Sequence, residues 1–197
     1  MRTKEALNKI TPLLKQPSFT SREAQIYGVN AATLSHYVKS GELIRIGHGT
    51  YRKAGHDIVE DFRWEDLVEA EQKTKGTICL ISALSLYEMT EEIPRQHWIA
   101  IAHKTSRQTS GNIKIVRFRN VELGKTTFKI GEVVLSIYDR ERTIIDSFKY
   151  LSIETAIKAL RLGLKKRGEE KLNIPKLQQY AKALHFKIEP YLITETT

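Results

Sequence analysis

The stretch Phe19–Lys53, FTSREAQIYGVNAATLSHYVKSGELIRIGHGTYRK, limits what this chain can fold into more than any other part of it. Thr20 followed three residues later by Glu23 fits a capping box. The hydroxyl can accept from a free backbone N–H while the carboxylate reaches back to the cap. Ala24 is small enough for a second helix to cross closely. Gly28 ends the first helix, because glycine enters the left-handed conformation at little cost, and Val29 is the apolar plug of the turn. Asn30 can cap a second helix running from about Ala31 to Ser40, where Gly41 stops it. Leu34 and Val38, with Tyr37 beside them, form its apolar side. Leu43–Ile46 and Thr50–Arg52 read as strands, joined through Gly47-His48-Gly49 in a tight hairpin. A helical hairpin and a β-hairpin used only for packing would account for each piece. The order of helix, glycine turn, helix, glycine and basic hairpin is more specific, and it is that of a winged helix-turn-helix.

That order assigns the polar residues. Thr33, Ser35, His36 and Lys39 fall opposite the apolar side of the second helix, on a short face with one full charge, as expected of a helix that reads base edges in the major groove. Ser21 and Arg22 open the first helix where a phosphate contact is expected, and Arg45, His48, Arg52 and Lys53 put polar and charged groups on the wing. Charge supports the assignment. The chain of 197 residues has a formal charge of +9 and a pI near 9.6, a balance that favours nucleic acid, an anionic membrane surface or an acidic partner. Residues 1–55 hold nine Lys/Arg against three Glu, so most of the excess lies with the helix-turn-helix.

The remainder reads as helices around a β-rich centre. Residues 3–15 suggest a first helix with Leu7, Ile10, Leu13 and Leu14 on one face, kinked or shortened by Pro12. Ala54–Asp61 reads as a linker, so the expected domains are 1–55 and 56–197. Phe62–Lys75 and Ile78–Met89 read as helices separated by Gly76, the second apolar nearly all round and so buried. His97–His103, Ile113–Phe118, Phe128–Ile130 and Val133–Ile137 read as strands, the last two joined at Gly131-Glu132, and Thr105–Asn112 as a loop. Asp139–Tyr150 reads as a helix with Ile144, Ile145 and Phe148 inward and Arg140, Glu141 and Lys149 outward. A helix starting at Ser152 with Thr155 and ending in Lys165-Lys166-Arg167-Gly168 follows, where cations suit the helix dipole. Asn173 can cap a last helix to about Leu184, leaving Thr194–Thr197 as a polar tail. The expected fold class is α+β: a winged helix-turn-helix, then an α+β domain whose small, mostly antiparallel sheet is flanked by helices. Lys165, Lys166, Arg167, Arg140 and Arg142 are candidates for a surface meeting a partner or DNA; the first three serve equally as a solvated helix cap, and Arg142 equally as a structural pair with Asp139 or Asp146.

Several classes of chemistry lack their residues. Cys79 is the single cysteine, and the six histidines form no HxxxH or HxH pair, so no metal and no disulfide is expected. No Asp-x-Glu or Glu-x-Lys pair lies on a strand of the β run as a metal-dependent nuclease needs, no GxSxG elbow surrounds Ser82 or Ser85, and no glycine-rich phosphate loop occurs. An enzyme is not expected, nor a cofactor. The N-terminus lacks the apolar core of a signal peptide and no run approaches the ~18 apolar residues of a membrane span, so the expected setting is the cytoplasm.

The chain resembles the AbiEi antitoxins of bacterial abortive-infection (type IV) toxin–antitoxin operons. The resemblance rests on Phe19–Lys53, on ISALSLYEMTEEIPRQHWIAI (residues 81–101) and on YDRERTIIDSFKY (residues 138–150), and covers roughly residues 5–165. Where the family usually has His-Gly after the Ser-Ala-Leu helix, this chain has Tyr87-Glu88. The resemblance implies a non-enzymatic protein with two tasks in phage defence. The winged helix would bind operator DNA, with inverted repeats expected, and repress its own operon. The second domain would neutralise a nucleotidyltransferase-like toxin encoded nearby. The alternative from the residues alone is a winged-helix transcription factor whose second domain senses a ligand or dimerises. The oligomeric state is left open by either.

Overall fold

A computed structural model describes residues 2–16, 18–55, 64–105, 111–131 and 133–196, with residues 2–4 and 194–196 described by backbone alone. The chain divides into two units, Met1–Lys73 with Ile130–Val133, and Thr74–Lys129 with Val134–Thr197. Much of the expected linker, residues 56–61, lies outside the described residues. The helix that follows, assigned from the sequence to the second domain, is grouped with the first unit.

The first unit opens with α1 (Arg2–Lys9) and α2 (Thr11–Leu14), which replace the single helix expected over 3–15. Pro12 occupies the first turn of α2, the position a helix tolerates because that N–H has no intrahelical acceptor. The chain continues through β1 (Phe19–Thr20), α3 (Ser21–Ile26), α4 (Ala31–Lys39), β2 (Leu43–Gly47) and β3 (Thr50–Lys53). The strands form an antiparallel sheet in the order β1-β3-β2, with Phe19 opposite Tyr51 and Ile44 opposite Arg52. A bulge between Arg45 and Gly47 tightens the wing. Ile10, Leu13, Phe19, Ala24, Val29, Leu34, Tyr37, Leu43 and Tyr51 share one buried cluster, so the helical segments and the sheet close on a common core. Helix α5 (Glu65–Thr74) follows; the first two residues of the helix expected over 62–75 lie outside the described residues.

The second unit is built on a five-stranded sheet in the order β6-β5-β4-β8-β7. Its strands are β4 (Thr77–Ile78), β5 (His97–Ala102), β6 (Ile113–Phe118), β7 (Lys125–Ile130) and β8 (Val133–Tyr138). The α+β class is as expected and antiparallel pairing is present between β4 and β5. However, β5–β6 and β4–β8 run parallel, so this sheet is mixed rather than mostly antiparallel. Thr77 and Ile78 belong to that sheet, so the helix expected over 78–89 begins later. Ile78 pairs with Ile99 on one side and Ile137 on the other. Leu80, at φ 50°, turns the chain from strand into α6 (Leu80–Leu86). Helices α7 (Arg140–Tyr150), α8 (Ile153–Lys165) and α9 (Ile174–Ala183) follow, with α7 packed against α6, α8 and α9. Asp139, Ser152 and Asn173 cap them, each accepting from a backbone N–H three residues on; Asn173 is the cap expected, and Ser152 the expected helix start. Residues 194–196 of the expected polar tail are instead part of α10 (Glu189–Thr196), and residue 197 lies outside the described residues.

Candidate nucleic-acid interface

Helices α3 and α4 are fixed at both ends by their own residues. Thr20 Oγ1 accepts from the Glu23 N–H at 3.2 Å, and Glu23 Oε2 accepts from the Thr20 N–H at 2.5 Å, which closes the capping box. After α3, the Gly28 N–H donates to the Gln25 carbonyl at 2.9 Å and the Val29 N–H to that of Ala24 at 3.0 Å. This double closure is a Schellman turn, and it places Gly28 at φ 74°. Asn30 Oδ1 accepts from the Thr33 N–H at 2.9 Å, starting α4. Gly41 and Glu42 close α4 in the same way, donating to Val38 and Tyr37. Val29 is buried in the turn between the helices, and Leu34 and Tyr37 fasten α4 to the core.

What α4 leaves outside is Ser35, His36 and Lys39, all exposed. Thr33 is half-buried and its hydroxyl donates to Asn30 Oδ1 at 3.0 Å, so it belongs to the cap as well as to the polar face. The His36 ring lies edge-on to that of Tyr37, with centroids 5.8 Å apart. Arg22 is exposed on α3, and Arg22, Lys39 and Lys53 form no ion pair among the described residues. Ser21 is tied to the wing: its N–H donates to the Gly49 carbonyl at 2.8 Å, and Gly49, at φ 69°, comes close to Ser21 Oγ. The hairpin tip is thereby held against the start of α3. His48 is exposed at that tip, and Arg45 is exposed with its Nε donating to the Gly47 carbonyl at 3.2 Å.

Arg52 is placed differently from the rest of the expected set. Its guanidinium donates through Nη1 to Glu65 Oε1 of α5 at 3.3 Å, and its side chain is 14% exposed. The stem of Lys73, at the other end of α5, lies beside Gly47. Helix α5 therefore runs along the wing and contacts both of its strands. Sequence reading missed this part of the site, because residues thirteen apart across a linker carry no local periodicity.

Of the residues expected on a second surface, Arg142 lies inside. It is 2% exposed, its Nε donates to Asp146 Oδ2 at 2.7 Å, and its Nη1 donates to the carbonyls of Asn120 at 3.0 Å and Leu123 at 2.9 Å. The pairing with Asp146 was one of the alternatives open in the sequence; a surface role is overturned by the burial. Glu141, expected outward, is also buried. Lys166 is held by Glu88 at 2.9 Å and Glu170 at 3.4 Å, and Lys165 and Arg167 are exposed. Arg140 is half-buried over the Tyr87 ring. Glu88, in the place where the resembled family has glycine, takes a left-handed conformation at φ 53° and closes α6. Among the described residues no group of His, Cys, Asp and Glu side chains could hold a metal ion, and no helix is long and apolar enough to cross a membrane.

Residues 8–52 match a family model described as a transcriptional regulator, AbiEi antitoxin. The match runs from the end of α1 to β3, so it takes in the helix-turn-helix and the wing and stops before α5. No curated protein matches the chain.

Proposed function

We propose that this protein is a DNA-binding antitoxin that represses its own operon. Helix α4 enters the major groove of the operator with Ser35, His36 and Lys39 toward the bases and Thr33 at its edge. Ser21, Arg22, Arg45, His48 and Lys53 lie along the phosphates, and Arg52 sets the wing that carries them. The second unit neutralises a nucleotidyltransferase-like toxin encoded nearby, in the cytoplasm, and the protein performs no catalysis of its own. The observation that carries the reading is the outward polar face of α4, on a helix fastened at both ends, in the region that resembles AbiEi regulators. Phosphate contacts supply much of the affinity and base contacts the selectivity.

The experiment separates the two tasks. Lys39→Glu replaces an exposed cation with an anion on the groove face. It is expected to weaken binding to the protein's own promoter by about tenfold or more while leaving co-expression rescue from the toxin intact. Loss of both activities in a variant that still folds would contradict the division of labour. Rescue from no nucleotidyltransferase-like neighbour, with promoter binding intact, would favour a transcription factor unrelated to a toxin.

A further inference from the structure

A polar cavity of about 630 Å³ opens in the second unit, where α7 and α9 begin. Two of its carboxylates, Asp139 and Glu141, are occupied by the protein itself. Asp139 Oδ1 accepts from the Arg142 N–H at 2.8 Å, and Oδ2 accepts from the Tyr180 hydroxyl at 3.0 Å and pairs with Lys176 at 3.0 Å. Glu141 accepts from the Asn173 N–H at 2.8 Å and pairs with Lys176 at 3.1 Å. Although burial opposes it, the two carboxylates hold the Lys176 ammonium above its ordinary pKa. The Tyr87 hydroxyl donates to the Tyr138 carbonyl at 2.9 Å, and burial pushes its pKa up.

Arg140 is in the opposite condition. The Arg140 guanidinium lies 4.7 Å over the Tyr87 ring. Its Nη1 reaches only the Glu169 carbonyl, at 3.5 Å, and its Nε is shut from solvent with no acceptor among the described residues. An orphaned buried donor is costly and calls for a reason. A guanidinium stacked on an aromatic ring is oriented, weakly hydrated and ready for a two-pronged contact with an oxyanion. Lys171 stands exposed at the rim, with no ion pair among the described residues, and Thr126 and Thr127 add exposed hydroxyls. What Arg140 and Lys171 lack is therefore an acceptor with negative charge. The carboxylate of Glu169, exposed at the same rim, offers an acceptor for a ligand hydroxyl. The volume falls in the range of small-molecule sites and is larger than a bare phosphate needs.

We propose that this cavity binds the phosphomonoester of a small, hydroxyl-bearing molecule, with Arg140 as its anchor, Lys171 as a second cation and Glu169 as the acceptor for a sugar hydroxyl. The site lies wholly within the second unit, so its test is independent of DNA binding. Calorimetric titration of the full chain at low salt would use inorganic phosphate, ribose 5-phosphate and adenosine 5′-monophosphate. Ribose 5-phosphate is expected to bind about tenfold more tightly than inorganic phosphate, because only the ester reaches Glu169. A further gain with the nucleotide identifies a nucleotide source, and equal affinity a sugar phosphate. Arg140→Gln is expected to weaken binding by about tenfold and Lys171→Gln, at an exposed position, by about threefold. Failure of all three probes at millimolar concentration would overturn the proposal, as would affinities unchanged in both variants. Should Arg140→Gln fail to fold, Lys171→Gln decides, and an unchanged affinity there would overturn it too.

Discussion

Arg142 and Arg140 stand two positions apart on one helix and meet opposite surroundings. The Arg142 guanidinium turns inward, and its two bonds to Asn120 and Leu123 hold the β6–β7 connection against α7. Gly124, at φ 73°, completes that connection, where an added Cβ would come within 2.6 Å of Arg142 Cβ. Replacing Arg142 by alanine leaves Asp146 buried without its cation and should cost about 3–5 kcal/mol, read by urea denaturation. Burial outweighs the ion pair at Asp146 and pushes its carboxyl up to about 6 from 3.8. The native state then holds this proton more tightly than the unfolded chain. The stability Asp146 contributes is full below about pH 4 and is lost as the pH rises through about 6. Asp146→Asn, which cannot titrate, removes that dependence. The difference in unfolding free energy between wild type and Asp146→Asn is expected to fall over this window and to be flat above about pH 7. A difference that rises across the window would contradict it. The four-residue spacing of Arg142 and Asp146 was legible in the sequence, but their burial was not. An Arg-Glu-Arg opening reads as a solvent face unless the elements that cover it are known.

At the scale of elements, what was local was legible. The capping box of α3, the two Schellman turns, the Asn30, Ser152 and Asn173 caps and the hairpin all follow from residues within a few positions of one another. The misreadings share a different cause. Ile78 opens an apolar run that fits a buried helix, and only its pairing with β5 and β8, distant in the chain, makes it part of a strand. The parallel pairs of the second sheet have the same non-local origin. So has the contact between α5 and the wing, which pairs Arg52 with Glu65 and on which the proposed bracing role of Arg52 rests. A double-mutant cycle of Arg52→Gln and Glu65→Gln should give a coupling of about 0.5–1 kcal/mol, since Glu65 remains about one-third exposed. Each single variant should weaken promoter binding modestly, and the double variant no more than either. Strictly additive losses would mean that the two side chains act apart and that Arg52 meets the phosphates itself.

For the whole molecule, composition and charge carried the broadest inference and the structure distributes it. The basic excess of the first 55 residues lies in the segment that holds the exposed face of α4, and the acidic residues of 56–73 offset it within the first unit. The second unit holds 21 Lys/Arg against 12 Asp/Glu, and it contains a polar cavity that no local motif announces, because the walls come from segments some ninety residues apart in sequence. The central claim is that α4 reads DNA. The most direct measurement is the affinity for the protein's own promoter, as a function of salt, for the wild type, Ser35→Ala, His36→Ala and Lys39→Ala. We expect the first two variants to lose about 1–3 kcal/mol on the promoter and little on unrelated DNA. Lys39→Ala should weaken both alike and lower the slope of log K against log salt by about 0.9. Promoter affinity equal to that for unrelated DNA, or unchanged in all three folded variants, would contradict the account.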